Sequence, residues 1–159
     1  MNIKACLKAS LLVLLAAAML SGCAAGDTEK EIVLGLAAPM TGNLAHIGTQ
    51  FKEGVELAID EINAKGGING KRLTVLIMDD KGDPKEAANV AQKLASDPSV
   101  KAVIGHYSSS CCFAAIPIYD KANLVMITPS ASHPELTHGS KYAFKMWTSF
   151  TVYAPKLAD

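Results

Sequence analysis

The apolar residues of this chain change period several times, and each change marks an element. Glu31 to Ala38 (Glu-Ile-Val-Leu-Gly-Leu-Ala-Ala) is a short apolar run of the kind that forms a buried strand, and Pro39-Met40-Thr41-Gly42-Asn43 ends it as a turn-rich loop. From Ile47 the apolar positions Phe51, Val55, Ala58, Ile59 and Ile62 recur at three and four residues. Lys52, Glu53, Glu56, Asp60 and Glu61 take the opposite side. This predicts an amphipathic helix of about four turns, stopped at Lys65-Gly66-Gly67 by a basic last turn and a glycine cap.

A second strand follows the Asn69-Gly70 turn, Leu73 to Met78, closed by Asp79-Asp80. Asp83-Pro84-Lys85-Glu86 then sets a capping residue, a proline at the first helical position and a glutamate three after the cap. The helix that it opens buries Ala87, Val90, Ala91 and Leu94 and stops at Asp97-Pro98. Val100 to Gly105 predicts a third strand. A third helix carries Phe113, Ala114, Ile116 and Ile118 to about Lys121, with Pro117 as a kink or early stop. Leu124 to Ile127 is a fourth strand, delivering Thr128-Pro129-Ser130-Ala131-Ser132, and Tyr142 to Trp147 a fifth. Strands that alternate with helices over short links predict an α/β, Rossmann-like domain: a parallel sheet with helices on both faces.

The first residues stand apart. Lys4 and Lys8 precede an unbroken small and apolar run, Ala9 to Leu20, shorter than the roughly 20 residues that span a bilayer. Residues 1–22 therefore read as a secretory signal. Leu20-Ser21-Gly22-Cys23 resembles a bacterial lipobox, which implies that Cys23 carries a diacylglycerol, each buried methylene of which contributes about 0.8 kcal/mol of membrane affinity. Residues 23–30 read as a flexible tether, 31–147 as the folded lobe and 148–159 as an atypical tail. The expected place is the periplasm or the outside face of the cell membrane. Losing Lys4 and Lys8 takes 15 basic residues to 13 against 15 acidic ones, a net charge of −2. That balance gives no electrostatic footprint for nucleic acid. Only Cys111 and Cys112 remain in the lobe; adjacent cysteines bridge only under strain, so two buried thiols are expected. No Cys/His ligand spacing suggests a metal.

In a sheet of this kind ligands bind beyond the carboxyl ends of the strands, where strand order reverses. Three loops are expected there, Pro39 to Gly48, Gly105 to Ser110 and Thr128 to Pro134, and none contains Lys, Arg, Asp or Glu. That is poor for a phosphate and suited to a small zwitterion held by hydroxyls and backbone. Ser108, Ser109 and Ser110 lie where the third helix begins. The residues alone allow either a serine N-cap with the others solvated, or a carboxylate site on unpaired helix N–H groups. No G-x-G-x-x-G follows the first strand, and neither a P-loop nor a G-x-S-x-G elbow occurs, so no cofactor is expected. A serine nucleophile with His106 as base lacks an oriented constellation, and no enzyme activity is expected. His46, His133 and His138 read as surface or supporting histidines.

Five separated stretches carry a resemblance in the right order: Asp60-Glu61-Ile62-Asn63-Ala64-Lys65-Gly66-Gly67-Ile68-Asn69-Gly70; Asp79-Asp80; Asp83-Pro84; Val103-Ile104-Gly105-His106; and Met126-Ile127-Thr128-Pro129-Ser130-Ala131-Ser132-His133-Pro134-Glu135-Leu136-Thr137. From about Ile32 to Trp147 the chain resembles the periplasmic branched-chain amino-acid binding proteins, two-lobed solute receptors of ABC importers with the type I periplasmic-binding fold. The resemblance implies that the Ser109 hydroxyl and N–H hold a ligand carboxylate. It also implies that the Ser130 carbonyl and the Ser132 hydroxyl receive an ammonium, with Tyr107, Ser108 and Ala131 lining the wall. It implies an ABC permease as partner and an aliphatic amino acid as cargo, no chemistry being done. The alternative readings of the same fold are a ligand-sensing lobe of a receptor, or a binding protein for amides, urea or aromatic acids.

Three departures from the family's pattern stand out. A disulfide common in the family joins the loops after the second and third strands, but Gly82 and Ser108 stand at the matching positions. Ile47 stands where an aromatic residue often closes over the ligand. The second lobe needed to trap ligand by hinge closure is absent, which reads as a truncated or frameshifted product holding half a site, for which weak binding or none is expected.

Overall fold

The computed structural model describes residues 31–152. The signal segment, Cys23 and the tether, with the last seven residues of the tail, lie outside the described residues. Among the described residues eight elements follow in order: β1 (Glu31–Ala38), α1 (Ala45–Ala64), β2 (Arg72–Asp79), α2 (Pro84–Ser96), β3 (Val100–Gly105), α3 (Ser109–Ala122), β4 (Val125–Thr128) and β5 (Ala143–Lys145). The strands form one sheet in the order β2-β1-β3-β4-β5, and every pairing is parallel.

Given that order, handedness decides which face each helix covers. Right-handed crossovers carry α1 over one face as the chain moves from β1 out to β2. They carry α2 and α3 over the other face as it returns past β1 to β3 and β4. Alternate strand residues sort accordingly. Ala37, Val103 and Met126 pack with Val90, Leu94, Cys112, Ala115 and Tyr119 in the core under α2 and α3. Leu34 and Ile104 point to the α1 face, where with Phe51, Val55 and Ile62 they line an open apolar groove of about 430 Å³. The order reverses between β1 and β3, so the loops leaving those two strands diverge.

Boundaries moved by a residue or two: β2 and β4 each extend one residue past expectation, and β5 is confined to three. α1 ends at Ala64, so Lys65 is its C-cap and the last turn itself holds no basic residue. Pro117 neither stops nor splits α3. Its local cost of about 3 kcal/mol is outweighed by the packing of the helix on the core. The buried face of α3 also differs from the expected one. Cys112, Ala115, Ile116 and Tyr119 face inward at spacings of three, one and three, whereas Phe113 is 43% exposed and Ala114 and Ile118 are half-buried.

The Asp83 cap is present. Its carboxylate accepts from the N–H groups of Lys85 at 2.8 Å and Glu86 at 3.0 Å, and its own N–H donates to the Asp80 carbonyl. Asp83→Ala is expected to lower stability by about 1 kcal/mol, read as a shift of the urea midpoint at unchanged slope. No shift would mean that α2 starts without its cap.

Candidate functional site

Two adjacent acids at the end of β2 serve two different loops. Asp79 Oδ1 accepts from the N–H groups of Met40 at 2.8 Å, Thr41 at 3.4 Å and Lys81 at 2.8 Å, and Oδ2 accepts from the Thr41 hydroxyl at 2.5 Å. This fixes the loop that leaves β1. Partial burial pushes the Asp79 carboxyl upward, but the hydrogen bonds from Thr41, Lys81 and Met40 together outweigh it and hold the group below its ordinary 3.8. A depressed folded value stabilises the fold above the unfolded value and loses that contribution as pH falls through the folded one. Asp79→Asn is therefore expected to flatten the loss of stability between roughly pH 5 and 3. Parallel pH curves for variant and wild type would refute this.

Asp80 turns the other way. It is fully buried, and its Oδ2 lies 2.6 Å from Nδ1 of His106, itself fully buried just beyond β3. Nε2 of His106 lies 3.2 Å from the Tyr119 hydroxyl on α3, and Asp80 Oδ1 accepts from the Gly82 N–H at 2.9 Å. The carboxylate accepts only, so it assigns the proton of the pair to Nδ1. Burial raises the Tyr119 hydroxyl well above its ordinary range, so it remains an O–H donor to Nε2.

Above this chain sit the serines. Thr128 Oγ1 donates to the His106 carbonyl at 2.7 Å, and Ser130 Oγ donates to the Tyr107 carbonyl at 2.7 Å. The exits of β3 and β4 are thus tied at two successive peptides. Ser108 is the N-cap of α3, its hydroxyl accepting from the Cys111 N–H at 3.3 Å. Ser109 opens the helix, and its hydroxyl accepts from the His133 N–H at 3.3 Å. The structure therefore brings Tyr107, Ser108 and Ser109 together with Ser130, Ala131 and Ser132. Ala131 and Ser132 are buried, and the rest are half-buried. Of the two readings of the serines, the cap is present at Ser108, and Ser109 stands at a helix start whose first N–H groups have no intrahelical acceptor.

Sequence reasoning missed the supporting residues. In sequence Asp80 reads as the end of a strand and His106 as a poor catalytic base, and nothing marks Tyr119. Buried polarity cannot be read from a period, since each partner lies on a different element. Phe51 makes an edge-on contact with Tyr107, ring centroids 6.2 Å apart, so an aromatic from α1 reaches the rim one turn beyond Ile47. Cys111 and Cys112 are free and buried. Burial pushes the Cys112 thiol up to about 11 and raises that of Cys111, which leaves little thiolate for nucleophilic chemistry. Among the described residues no group of His, Cys, Asp and Glu has the arrangement to hold a metal. The apolar groove beside α1 runs down the sheet away from the serines; of its lining, Phe51 and Pro129 adjoin the rim.

The chain as a whole is similar to known proteins. The model of a family described as periplasmic binding protein matches residues 31–159. The leucine-, isoleucine-, valine-, threonine- and alanine-binding protein of Pseudomonas aeruginosa is 44% identical over 122 residues, 76% of this chain and 32% of that protein. The Leu/Ile/Val-binding protein homolog 2 of Brucella abortus is 39% identical over 125 residues, 79% of this chain and 32% of the relative. The solved ABC transporter substrate-binding protein from Desulfitobacterium hafniense, in complex with Leu, superposes with a TM-score of 0.72. Its identity is 37%, over 80% of this chain and 37% of that one. The chain thus spans about a third of the length of the relatives it matches.

Proposed function

The chain belongs to the periplasmic binding protein family, and from that premise we propose that it forms one jaw of an extracytoplasmic receptor for branched-chain or related aliphatic amino acids, which hands its cargo to an ABC permease. The Ser109 hydroxyl and N–H receive the carboxylate, assisted by the positive end of α3. The Ser130 carbonyl and the Ser132 hydroxyl take the ammonium, and Tyr107, Ser108 and Ala131 form the wall. The mechanism is capture and transfer, with no bond made or broken in the cargo. The observation that carries this reading is the 3.3 Å approach of the His133 N–H to Ser109 Oγ, which sets the start of α3 against the Ser130–Ser132 loop.

Leucine titrated into the 15N-labelled chain is expected to move the amide signals of Ser109, Ser110 and Ala131 to His133, with valine acting alike and acetamide not. Ser109→Ala removes a charge-assisted hydrogen bond and is expected to weaken leucine by roughly tenfold or more. Leucine shifts confined to other residues, or none, would overturn the assignment. In the same reading residues 1–22 are removed, Cys23 is lipidated and residues 23–30 tether the domain to the outside face of the membrane. Residues 31–147 are the lobe, followed by the tail. Loss of palmitate labelling in Cys23→Ser checks the anchor; labelling that persists would exclude it.

A further inference from the structure

We propose that the buried chain Asp80–His106–Tyr119 is a positioning device for the amino-acid rim: it sets the path of Tyr107 to Ser109, and through that path the affinity of the site. The inference deepens the binding reading above and rests on it for what the rim holds. Its geometry stands on the ligand-free protein.

The three residues come from three elements, the exit of β2, the exit of β3 and the middle of α3, and each is 0 or 1% exposed. β1 lies between β2 and β3 in the sheet, so the Asp80–His106 contact crosses over the end of β1. It links the loops after the second and third strands, the two loops whose matching positions Gly82 and Ser108 carry no cysteine. The groups facing His106 are Asp80 from the β2 exit, Tyr119 from α3 and, at its backbone carbonyl, Thr128 from β4 and Cys112 from α3.

With both ring nitrogens held, the His106 residue has one orientation. Its carbonyl then meets Thr128 Oγ1 at 2.7 Å, the next carbonyl meets Ser130 Oγ at 2.7 Å, and the chain enters the Ser108 cap and Ser109 directly after. An apolar side chain at 106 would fill the space but specify no direction. Hydrogen bonds in a dry site do specify one, and supporting polar groups of this kind orient the residues that touch a ligand.

The tautomer provides a signature that a merely packed histidine lacks. In Asp80→Asn the single amide oxygen serves the Gly82 N–H and the NH₂ faces Nδ1. The ring proton must then move to Nε2 and the Tyr119 hydroxyl must reverse. The experiment uses the full chain, 15N-labelled, without ligand and then with leucine. Leu94→Ala, a fully buried core change under α2, is the control for lost stability. In wild type the His106 nitrogens are expected to report Nδ1–H; in Asp80→Asn their shifts exchange, and the amide signals of Tyr107, Ser108 and Ser109 move beyond anything seen in Leu94→Ala. Should Asp80→Asn not fold, Tyr119→Phe removes one hydroxyl only and is read the same way at those amides. A lowered urea midpoint with the 107–109 amides matching the Leu94→Ala pattern would overturn the proposal. In the leucine arm Asp80→Asn is expected to weaken binding about tenfold; unchanged affinity beside a wild type that binds would overturn the link to the rim. A wild type that shows no leucine response would sink the binding reading instead, while the ligand-free amides still decide the positioning.

Discussion

Gly105→Ala is expected to lower stability by about 3 kcal/mol or more, the range in which a forbidden backbone conformation adds to a steric clash. Gly105 ends β3 with φ +132, a conformation that side chains rarely adopt. A Cβ built there would stand 2.1 Å from the Ala37 carbonyl oxygen and 3.0 Å from its carbon. The obstacle is backbone of the neighbouring strand β1, which pairs with β3 at this register, Ala37 opposite Gly105, so no rotamer relieves it. Either β1 or the exit of β3 must shift, and that exit carries His106 and the serines. Gly54→Ala is the matched control. It lies within α1 with nothing inside 4 Å of the added methyl, and is expected to gain roughly 0.5–1 kcal/mol from helix propensity alone. Urea midpoints of the two variants decide the matter; a Gly105→Ala protein within about 0.5 kcal/mol of wild type would mean that the β1–β3 contact is slack.

This close approach explains part of what sequence could and could not reveal. The strand reading of Val100 to Gly105 followed from its β-branched run, and the glycine looked like a stop, which it is. That it is also the point where two backbones touch is invisible without β1 beside it. The parallel sheet, the two-sided helices and the three loops at its carboxyl edge were legible because hydrophobic period and element length encode them locally. α3 was legible as a helix but not in its facing. Phe113 and Ile118 look like stronger core candidates than Cys112 and Tyr119 on hydrophobicity. Tyr119 is nevertheless buried, because His106 satisfies its hydroxyl. The rim serines were legible as a group. Which of them caps the helix and which faces the second loop depends on one residue of phase, which only the start of α3 at Ser109 settles.

The same buried chain makes a sharp statement about additivity. Asp80→Leu leaves His106 with a donor and no acceptor in a dry site, and His106→Leu leaves the Asp80 carboxylate buried beside one N–H. Each is expected to cost about 3 to 5 kcal/mol, the usual loss when one member of a buried pair is removed. Replacing Asp80 and His106 by leucine and Tyr119 by phenylalanine removes every unmatched side-chain group at once. Gly82, half-buried, can turn its N–H to water. The triple variant is therefore expected to be more stable than either single leucine variant, although it carries all the changes. Simple packing predicts the reverse, with losses that add, and a triple variant less stable than both singles would refute the account. If the variant folds but its Tyr107–Ser109 amides resemble those of Asp80→Asn rather than wild type, apolar filling has restored the fold without restoring the path. Directional hydrogen bonds, rather than burial, then set the path of the chain into the serines.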